Sequence, residues 1–252
     1  NDITIGKLIA TAVDRTGKDG SITIDESRTA DTTLDIIEGF RLESGYAASA
    51  FVTDERRASV FHESPLLLVT DARIENVEQI LPALEIVSRD GRPLIIIAEE
   101  IEGQALAALI MNTVRGTLKI AAVKAPFYGT RRRQVLWDLA LSTGAEFISR
   151  DGELLLRDVK LHHFGQCRSV DISKVLTTII GGKGDDAKIE KQISLLKAEL
   201  SATEDLEECE KIQDRITKLA SGAAVISVGA PTEVEMIEKK HRIEDALEAV
   251  KS

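Results

Sequence analysis

The candidate chemical sites of this sequence are a glycine cluster, a histidine pair and two cysteines. The cluster Gly181-Gly182-Lys183-Gly184 lacks the spacing of a P-loop and leads into a charged segment, so it predicts a mobile loop. His162 and His163 would point to opposite faces of a strand, and no cysteine or carboxylate completes a metal-ligand pattern. Neither Cys167 nor Cys209 lies in the signature of an activated nucleophile. The motifs therefore predict no metal site and do not support hydrolase chemistry.

The basic cluster Arg131-Arg132-Arg133 could bind an anion or RNA. The same residues open an amphipathic helix that continues with Val135 and Leu136, which favours a solvated helix face. The formal net charge of -10 also repels phosphate backbones and anionic lipid surfaces. We therefore expect no nucleic-acid partner and no membrane partner.

Targeting and anchoring signals are not recognisable in the sequence. The chain starts Asn1-Asp2-Ile3, without a basic or cleavable leader, and no apolar run reaches the roughly 18 to 20 residues of a membrane-spanning helix. Two cysteines in 252 residues fit a reducing compartment. Because the sequence begins without Met and enters a helical pattern almost at once, we expect an internal fragment of a longer protein. Its expected location is the cytoplasm, or an organelle matrix or stroma in a eukaryote.

The centre of the sequence alternates between apolar strands and helices. Buried strands are predicted at residues 66–70, 93–98 and 119–123, and the helices that follow them at residues 74–87, 103–114 and 130–142. Strands that are apolar throughout and are each followed by a helix indicate parallel pairing with helices covering the faces. The central fold class is therefore α/β.

The flanking segments predict a second, smaller body. Before the centre we expect a helix at 4–15, a turn at 17–20 and strands at 21–24 and 34–38. After the centre we expect an antiparallel helical pair at 185–220, whose second helix starts with a capping box at 201–204. A strand at 224–228 and a helix at 231–250 follow. Helices at both chain ends suggest a discontinuous α+β domain, in which residues before Gly39 pack with residues after Gly222.

Two central helices are apolar around most of their circumference. The helix at 74–87 carries eight apolar residues, and residues 105–111 are apolar at every position. A surface helix should be polar on its outer side. Either both helices are buried on all sides, or their outer residues form an exposed apolar groove, which is typical of an interaction surface. The pattern alone does not decide between the two. The candidate groove residues are Leu81, Leu84, Leu106, Ile110 and Met111.

Long stretches of the sequence resemble group I chaperonins, the GroEL type, in that family's order from Asn1 to about Ala249. The stretches are residues 95–106, 112–116, 121–126, 131–132, 229–236, 238–240 and 242–247. The resemblance implies an apical polypeptide-binding domain at 39–222 and an intermediate domain in two segments, 1–38 and 223–252. It also implies unfolded polypeptides, a co-chaperonin lid and sister subunits of a ring as partners.

The resemblance carries site residues over by position. The implied polypeptide-binding residues are Tyr46, Phe51, Val77, Leu81, Leu84, Leu106, Ile110, Met111 and Asn112. Asp245 matches the carboxylate that acts in ATP hydrolysis, and Gly39 and Gly222 match hinges that need unusual backbone dihedral angles. The family's nucleotide-binding loop has no counterpart in the sequence. We expect this fragment neither to bind nor to hydrolyse ATP, whereas its full-length parent would use ATP and Mg²⁺.

The sequence departs from the family pattern near the groove and at one subunit contact. Ala50 stands where an aromatic residue is common, and Ala48 stands at a usually polar position. Phe127 replaces a glycine after Pro126. Ser44 replaces an arginine, which puts in doubt an inter-subunit ion pair to Glu233.

Two other functions fit the sequence. The alternating centre and the glycine cluster fit an α/β nucleotide-dependent enzyme, and the charged helical pair fits a structural module that binds a partner. The resemblance favours a chaperone fragment that binds non-native polypeptide.

Overall fold

A computed structural model describes residues 3–16, 22–27, 31–220 and 222–251. Its α-helices are α1 (Ile3–Thr16), α2 (Leu81–Asp90), α3 (Gly103–Val114), α4 (Gly129–Thr143), α5 (Asp186–Ala202), α6 (Leu206–Ala220) and α7 (Glu233–Lys251). Its strands are β1 (Ile22–Glu26), β2 (Thr33–Leu42), β3 (Val60–Glu63), β4 (Leu66–Thr70), β5 (Arg73–Ile74), β6 (Leu94–Ala98), β7 (Glu100–Ile101), β8 (Ile120–Lys124), β9 (Phe147–Ile148), β10 (Gly165–Ile172), β11 (Thr177–Gly182) and β12 (Gly222–Val228). The predicted turn at 17–20 and the start of the strand predicted at 21–24 lie outside these residues. No helix in the described ranges is long and apolar enough to cross a membrane.

The first of two compact units combines the two ends of the chain, Asn1–Gly39 and Ser221–Ser252. In it, β12 pairs in parallel with β1 and antiparallel with β2. Apolar residues at helical spacing on α1 and α7 face this small sheet, because the i, i+4 rows of a helix lie on one side. The buried residues of this core are Ile5, Ile9, Ile226, Val228, Ile243 and Leu247.

The second unit, Phe40–Ala220, is built on a mixed sheet. Its centre is parallel: β4 pairs with β6, β6 pairs with β8, and β9 lies on the other side of β4. The strands β4 and β6 are buried at all five positions, as expected of strands covered on both faces. β10 adds antiparallel pairing with β3, β4 and β11. The unit is therefore mixed α/β, in agreement with the predicted alternation.

Crossover connections determine which face of this sheet each helix covers. Parallel strands are joined by right-handed crossovers, so α2 and α3 lie on one face and α4, which returns to β9, lies on the opposite face. The hairpin of α5 and α6 packs against α4 and forms a second helical layer there. The outward sides of α2 and α3 have no such layer among the described residues.

Four local predictions are wrong. Residues 74–87 are not one helix: Ile74 pairs with Ile101 between β5 and β7, a 3-10 turn covers Val77–Gln79, and α2 starts at Leu81. The capping box at 201–204 does not form, because Asp205 instead accepts the Glu207 N–H at 3.0 Å.

The glycine cluster is not a loop along its whole length, and it packs closely against α4. Gly181 and Gly182 end β11, and a Cβ atom on Gly182 or Gly184 would lie 2.2 Å from a carbonyl oxygen of α4. His162 and His163 lie in a 3-10 turn, Leu161–His163, rather than on a strand.

His62 on β3 makes the stability of the second unit sensitive to mild acid. It is 8% exposed, and burial, aided by the charge of Lys119, lowers its pKa from 6.5 to about 4. Between these pH values the unfolded chain binds a proton that the folded chain does not bind, so the free energy of unfolding falls as the pH falls. The stabilisation is complete above pH 6.5.

We expect the free energy of unfolding to lose about 2 kcal/mol through His62 between pH 7.5 and pH 5. Urea titrations followed by Trp137 fluorescence measure this loss in the wild type and in His62→Leu, which has no imidazole to protonate. The variant should lose about 2 kcal/mol less than the wild type. The same loss in both proteins would contradict the assignment.

Candidate functional site

The helix α2 has a buried inner face and an exposed first residue. Pro82 occupies its second position, where a missing N–H leaves no hydrogen bond unmade. The helix ends at Gly91, whose φ of 84° closes the last turn with a 2.8 Å hydrogen bond to the Val87 carbonyl. Leu84 and Val87 pack into the core, whereas Leu81 is 46% exposed.

The helix α3 has an inner row that is sealed and an outer stripe that is not. Ala105 and Leu109, four residues apart, are fully buried against the sheet. Leu106 and Ile110 are half-buried beside them. The outermost apolar residues are Ala107, Met111 and Val114, of which Met111 is 48% and Val114 is 68% exposed.

These outer residues define an apolar surface on the outward side of α2 and α3, where no second helical layer lies among the described residues. The 3-10 turn Val77–Gln79 packs against both helices and links them. Soluble proteins rarely expose several large apolar side chains together unless the patch binds something. Each helix therefore has a buried inner face and, on its outer side, apolar residues that are partly exposed. We call this the α2–α3 surface; it comprises Leu81, Leu106, Ile110, Met111 and Val114.

Hydrogen bonds hold the end of α3 in place. The hydroxyl of Thr113 lies 3.0 Å from the Leu109 carbonyl, in its own helix, and 3.3 Å from the Ile120 carbonyl of β8. The side-chain amide of Asn112 donates to the Ala108 carbonyl at 2.8 Å. The apolar stripe is thus presented on a fixed helix rather than on a loop.

Two predicted site residues are core residues. Phe51 is fully buried in a 3-10 turn that packs under α3, and Leu84 is 7% exposed. Their aromatic and branched side chains fill the space between helix and sheet, so neither is available to a partner. Their burial gives no support to their assignment to the binding surface, which stays a prediction.

The other predicted residues keep part of their surface exposed. Tyr46 and Val77 are half-buried, and Tyr46 forms an isolated bridge with Val123 beside the sheet edge. Asn112 is half-buried and uses its amide within α3. Val114 was not predicted, although it lies three residues after Met111 and four after Ile110. That spacing is the signal that identifies it.

The basic cluster is neutralised within the protein. The guanidinium of Arg132 lies 2.9 Å from Glu99 and that of Arg133 lies 2.7 Å from the buried Asp71. Arg131 lies 3.6 Å from Asp214. These pairs anchor the start of α4 and leave little net positive charge for an RNA or a free anion. The prediction of a solvated helix face holds for Arg131 and Arg133, whose ion-paired side chains are 40% and 45% exposed, but not for Arg132, which is only 11% exposed.

The remaining chemical candidates do not form a reactive centre. Burial raises the pKa of the Cys167 thiol to about 12, which keeps it protonated. His163 Nδ1 accepts the Lys160 N–H at 3.0 Å and so has a structural partner. Within the described ranges, no three His, Cys, Asp or Glu side chains are grouped to hold a metal ion.

Asp245 lies on α7 in the first unit and is exposed. The hinge candidates Gly39 and Gly222 lie in β2 and β12, and Gly222 pairs with Glu38. Regular strand pairing uses extended dihedral angles that any residue adopts, so the strands give no support to the expected unusual angles. The roles of Asp245, Gly39 and Gly222 stay predictions.

The family of the chain follows from a match over almost all of its length. The sequence model of the TCP-1/cpn60 chaperonin family covers residues 4–252. The chain belongs to the TCP-1/cpn60 chaperonin family. Membership in this chaperonin family supports a chaperone role in protein folding, with binding of unfolded polypeptides and assembly into oligomers. An exposed apolar surface on fixed helices is consistent with that role.

One residue shortly before α4 has an unusual backbone conformation. Phe127 has a φ of 64°, in the left-handed region that costs a non-glycine residue about 1–2 kcal/mol. Its ring lies 3.8 Å under the guanidinium of Arg131. This cation–π contact offsets part of the strain and could not form with glycine.

Proposed function

We propose that the α2–α3 surface binds non-native polypeptide. The observation that carries this proposal is the row of exposed apolar side chains on α3, extended by Leu81 on α2. Folded proteins hide their apolar side chains, so such a surface distinguishes unfolded chains from folded ones without reading a sequence. Burial of apolar area contributes roughly 25 cal/mol per Å², whatever the order of the residues in the client.

The composition of the surface suits varied clients. Met111 is flexible and polarizable, and Leu and Ile side chains accept many shapes of apolar partner. Ala48 and Ala50 make the neighbouring lip smaller than the family pattern predicts. We therefore expect the client range or affinity to differ from that of group I chaperonins with an aromatic residue there.

The wider proposal follows the resemblance to group I chaperonins. The second unit would be the apical domain, and the first unit would belong to an intermediate domain. A co-chaperonin lid would compete with clients by placing an apolar loop on the same surface. In the full-length parent, a cytoplasmic or organellar ring of sister subunits, Asp245 would orient the water that hydrolyses ATP, with Mg²⁺ bound at the nucleotide. This chain would bind clients without ATP.

A direct test compares one client in its unfolded and native forms. The chain should bind a permanently unfolded protein, such as reduced and carboxymethylated α-lactalbumin, and should not bind native α-lactalbumin. Fluorescence anisotropy of the labelled client measures both affinities at equal salt concentration. Equal binding of the two forms, or no binding of the unfolded form, would contradict the proposal.

A second candidate is an interaction module that acts through the hairpin of α5 and α6. Two exposed apolar side chains favour it, since Leu195 is 57% and Leu206 is 78% exposed. They lie on separate helices of a strongly charged pair.

A further inference from the structure

A second site lies where the strand order of the parallel sheet reverses. The chain proceeds from β4 to β6 and β8, and then returns through α4 to β9 on the opposite side of β4. The segments that leave the carboxyl ends of β4 and β9 meet beyond the sheet, because the 3-10 turn Leu156–Asp158 after β9 packs against α2 and the turn Val77–Gln79, which follow β4. Open α/β sheets bind ligands outside the carboxyl ends of their strands, near such a reversal of strand order.

A cavity of about 530 Å³ occupies this position. Ala72 and Arg73 reach it directly after β4, and Ile148 and Arg150 reach it from the end of β9. Its volume lies in the range of roughly 300–1,000 Å³ typical of small-molecule sites. The 3-10 turn Leu156–Asp158 lines another side of the cavity, which is open to solvent.

The cavity combines an apolar interior with a cationic border. Ile148 and Leu156 are buried side chains in its lining. Three guanidinium groups border it, of which that of Arg73 already donates to Glu102 at 2.6 Å. The other two belong to Arg150 and Arg157.

The guanidiniums of Arg150 and Arg157 are held less tightly. Arg150 lies 3.6 Å from Asp151 and 3.9 Å from Glu99. Arg157 lies 3.8 Å from Asp158. These separations are longer than a hydrogen bond, and each guanidinium has five N–H donors in a fork that matches a carboxylate. An anionic ligand group can therefore displace the loose partners.

We propose that this cavity binds a small amphiphilic carboxylate. The apolar chain of the ligand would lie against Ile148 and Leu156, and its carboxylate would accept hydrogen bonds from Arg150 and Arg157. The lining also includes Glu78, which repels an anion and so limits the affinity. The site is independent of client binding on the α2–α3 surface, whose apolar residues do not line the cavity.

Calorimetric titration of the whole chain with decanoate at pH 7 tests the proposal. Decanoate should bind at one site per chain, and decanol, which lacks the charge, should bind at least about tenfold more weakly. The double variant Arg150→Gln, Arg157→Gln should weaken decanoate binding by about tenfold or more. Glu78→Gln should strengthen it several-fold, because the repelling charge is removed.

Matched variants exclude non-specific effects. Arg56→Gln, Arg57→Gln removes two exposed arginines elsewhere and should leave the affinity unchanged. Leu81→Glu, Met111→Glu should also leave it unchanged if decanoate does not use the α2–α3 surface. Equal loss in the Arg56/Arg57 double variant, or unchanged affinity in the Arg150/Arg157 double variant, would overturn the site.

An apolar peptide with a free C-terminal carboxylate offers the same chemistry as a free acid. A short leucine-rich peptide and its C-terminal amide distinguish the two sources. Weaker binding by the peptide acid than by decanoate supports a free small acid as the ligand. Tighter binding by the peptide acid, abolished by amidation, would overturn that choice.

Discussion

The triple variant Leu81→Glu, Met111→Glu, Val114→Glu is expected to lose capture of unfolded polypeptide. The affinity should fall by more than about a hundredfold, since burying one large apolar side chain contributes about 1.5–3 kcal/mol and three contacts are replaced by charges. The three side chains are 46%, 48% and 68% exposed, so the fold should tolerate the change. Fluorescence anisotropy with the labelled unfolded client measures the loss.

A triple glutamate variant at Leu84, Leu106 and Ile110 would be a less specific test, because these three side chains are more buried. Leu84 is 7% exposed, and a glutamate there would leave an unpaired charge in the core. Loss of capture by such a variant could reflect unfolding. The exposed positions keep the test specific to the surface.

A control variant places two glutamates on the hairpin of α5 and α6. Leu195→Glu, Leu206→Glu removes its two exposed apolar side chains and should leave client capture unchanged. Val175→Glu, on a turn where the side chain is 72% exposed, serves as a further control that should leave client capture unchanged. If the hairpin variant loses capture and the α2–α3 variant retains it, the interaction module replaces the proposed surface.

The sequence predicts the parallel centre of the second unit well because its signals are local. The strands β4, β6 and β8 are short apolar runs, and each is followed by a helix. Their length and composition determine both strand type and burial on two faces. The antiparallel strands β10 and β11 are not predicted; in β10, polar residues such as Gln166 and Asp171 interrupt the apolar pattern.

The sequence could not separate the inner from the outer side of α2. The apolar run through 74–87 has helical spacing, but Ile74 is recruited into pairing with Ile101, a contact distant in sequence. Pro82 suits the first turn of a helix, and the helix accordingly starts one residue before it, at Leu81. The resulting phase turns Leu84 inward and Leu81 outward. Tertiary pairing, rather than helix propensity, decides which side chains remain exposed.

A buried ion pair joins the hairpin of α5 and α6 to α4. Its loss should lower the free energy of unfolding more than the other substitutions proposed for this protein. The guanidinium of Arg215 on α6 donates to both oxygens of Asp138 on α4, at 2.7 and 2.9 Å. The Asp138 side chain is 1% exposed and that of Arg215 is 10% exposed. Burial raises the pKa of Asp138, and the hydrogen bonds from Arg215 oppose that rise. Arg215 is therefore the main partner that compensates the buried charge of Asp138, with a smaller contribution from the charge of Lys218.

Removing either partner should lower the free energy of unfolding by about 3–5 kcal/mol, because it leaves an uncompensated buried charge. In Arg215→Met the unpaired group is the Asp138 carboxylate, whose pKa rises further, so the protonated form becomes accessible at mild pH. The loss relative to wild type should then shrink as the pH falls from 8 to 5, since protonation removes the buried charge. In Asp138→Leu the unpaired group is an arginine that stays charged, and the loss should not shrink in this way.

Urea unfolding followed by the fluorescence of Trp137, the neighbour of Asp138, measures both losses. The double variant Asp138→Leu, Arg215→Met replaces the pair with apolar groups and should recover most of the stability, because desolvation of two charges largely cancels their attraction. If the double variant is as unstable as the sum of the two single variants, the pair does not act as a unit. The attachment of the hairpin to α4 would then depend on apolar packing between α4 and α6 instead.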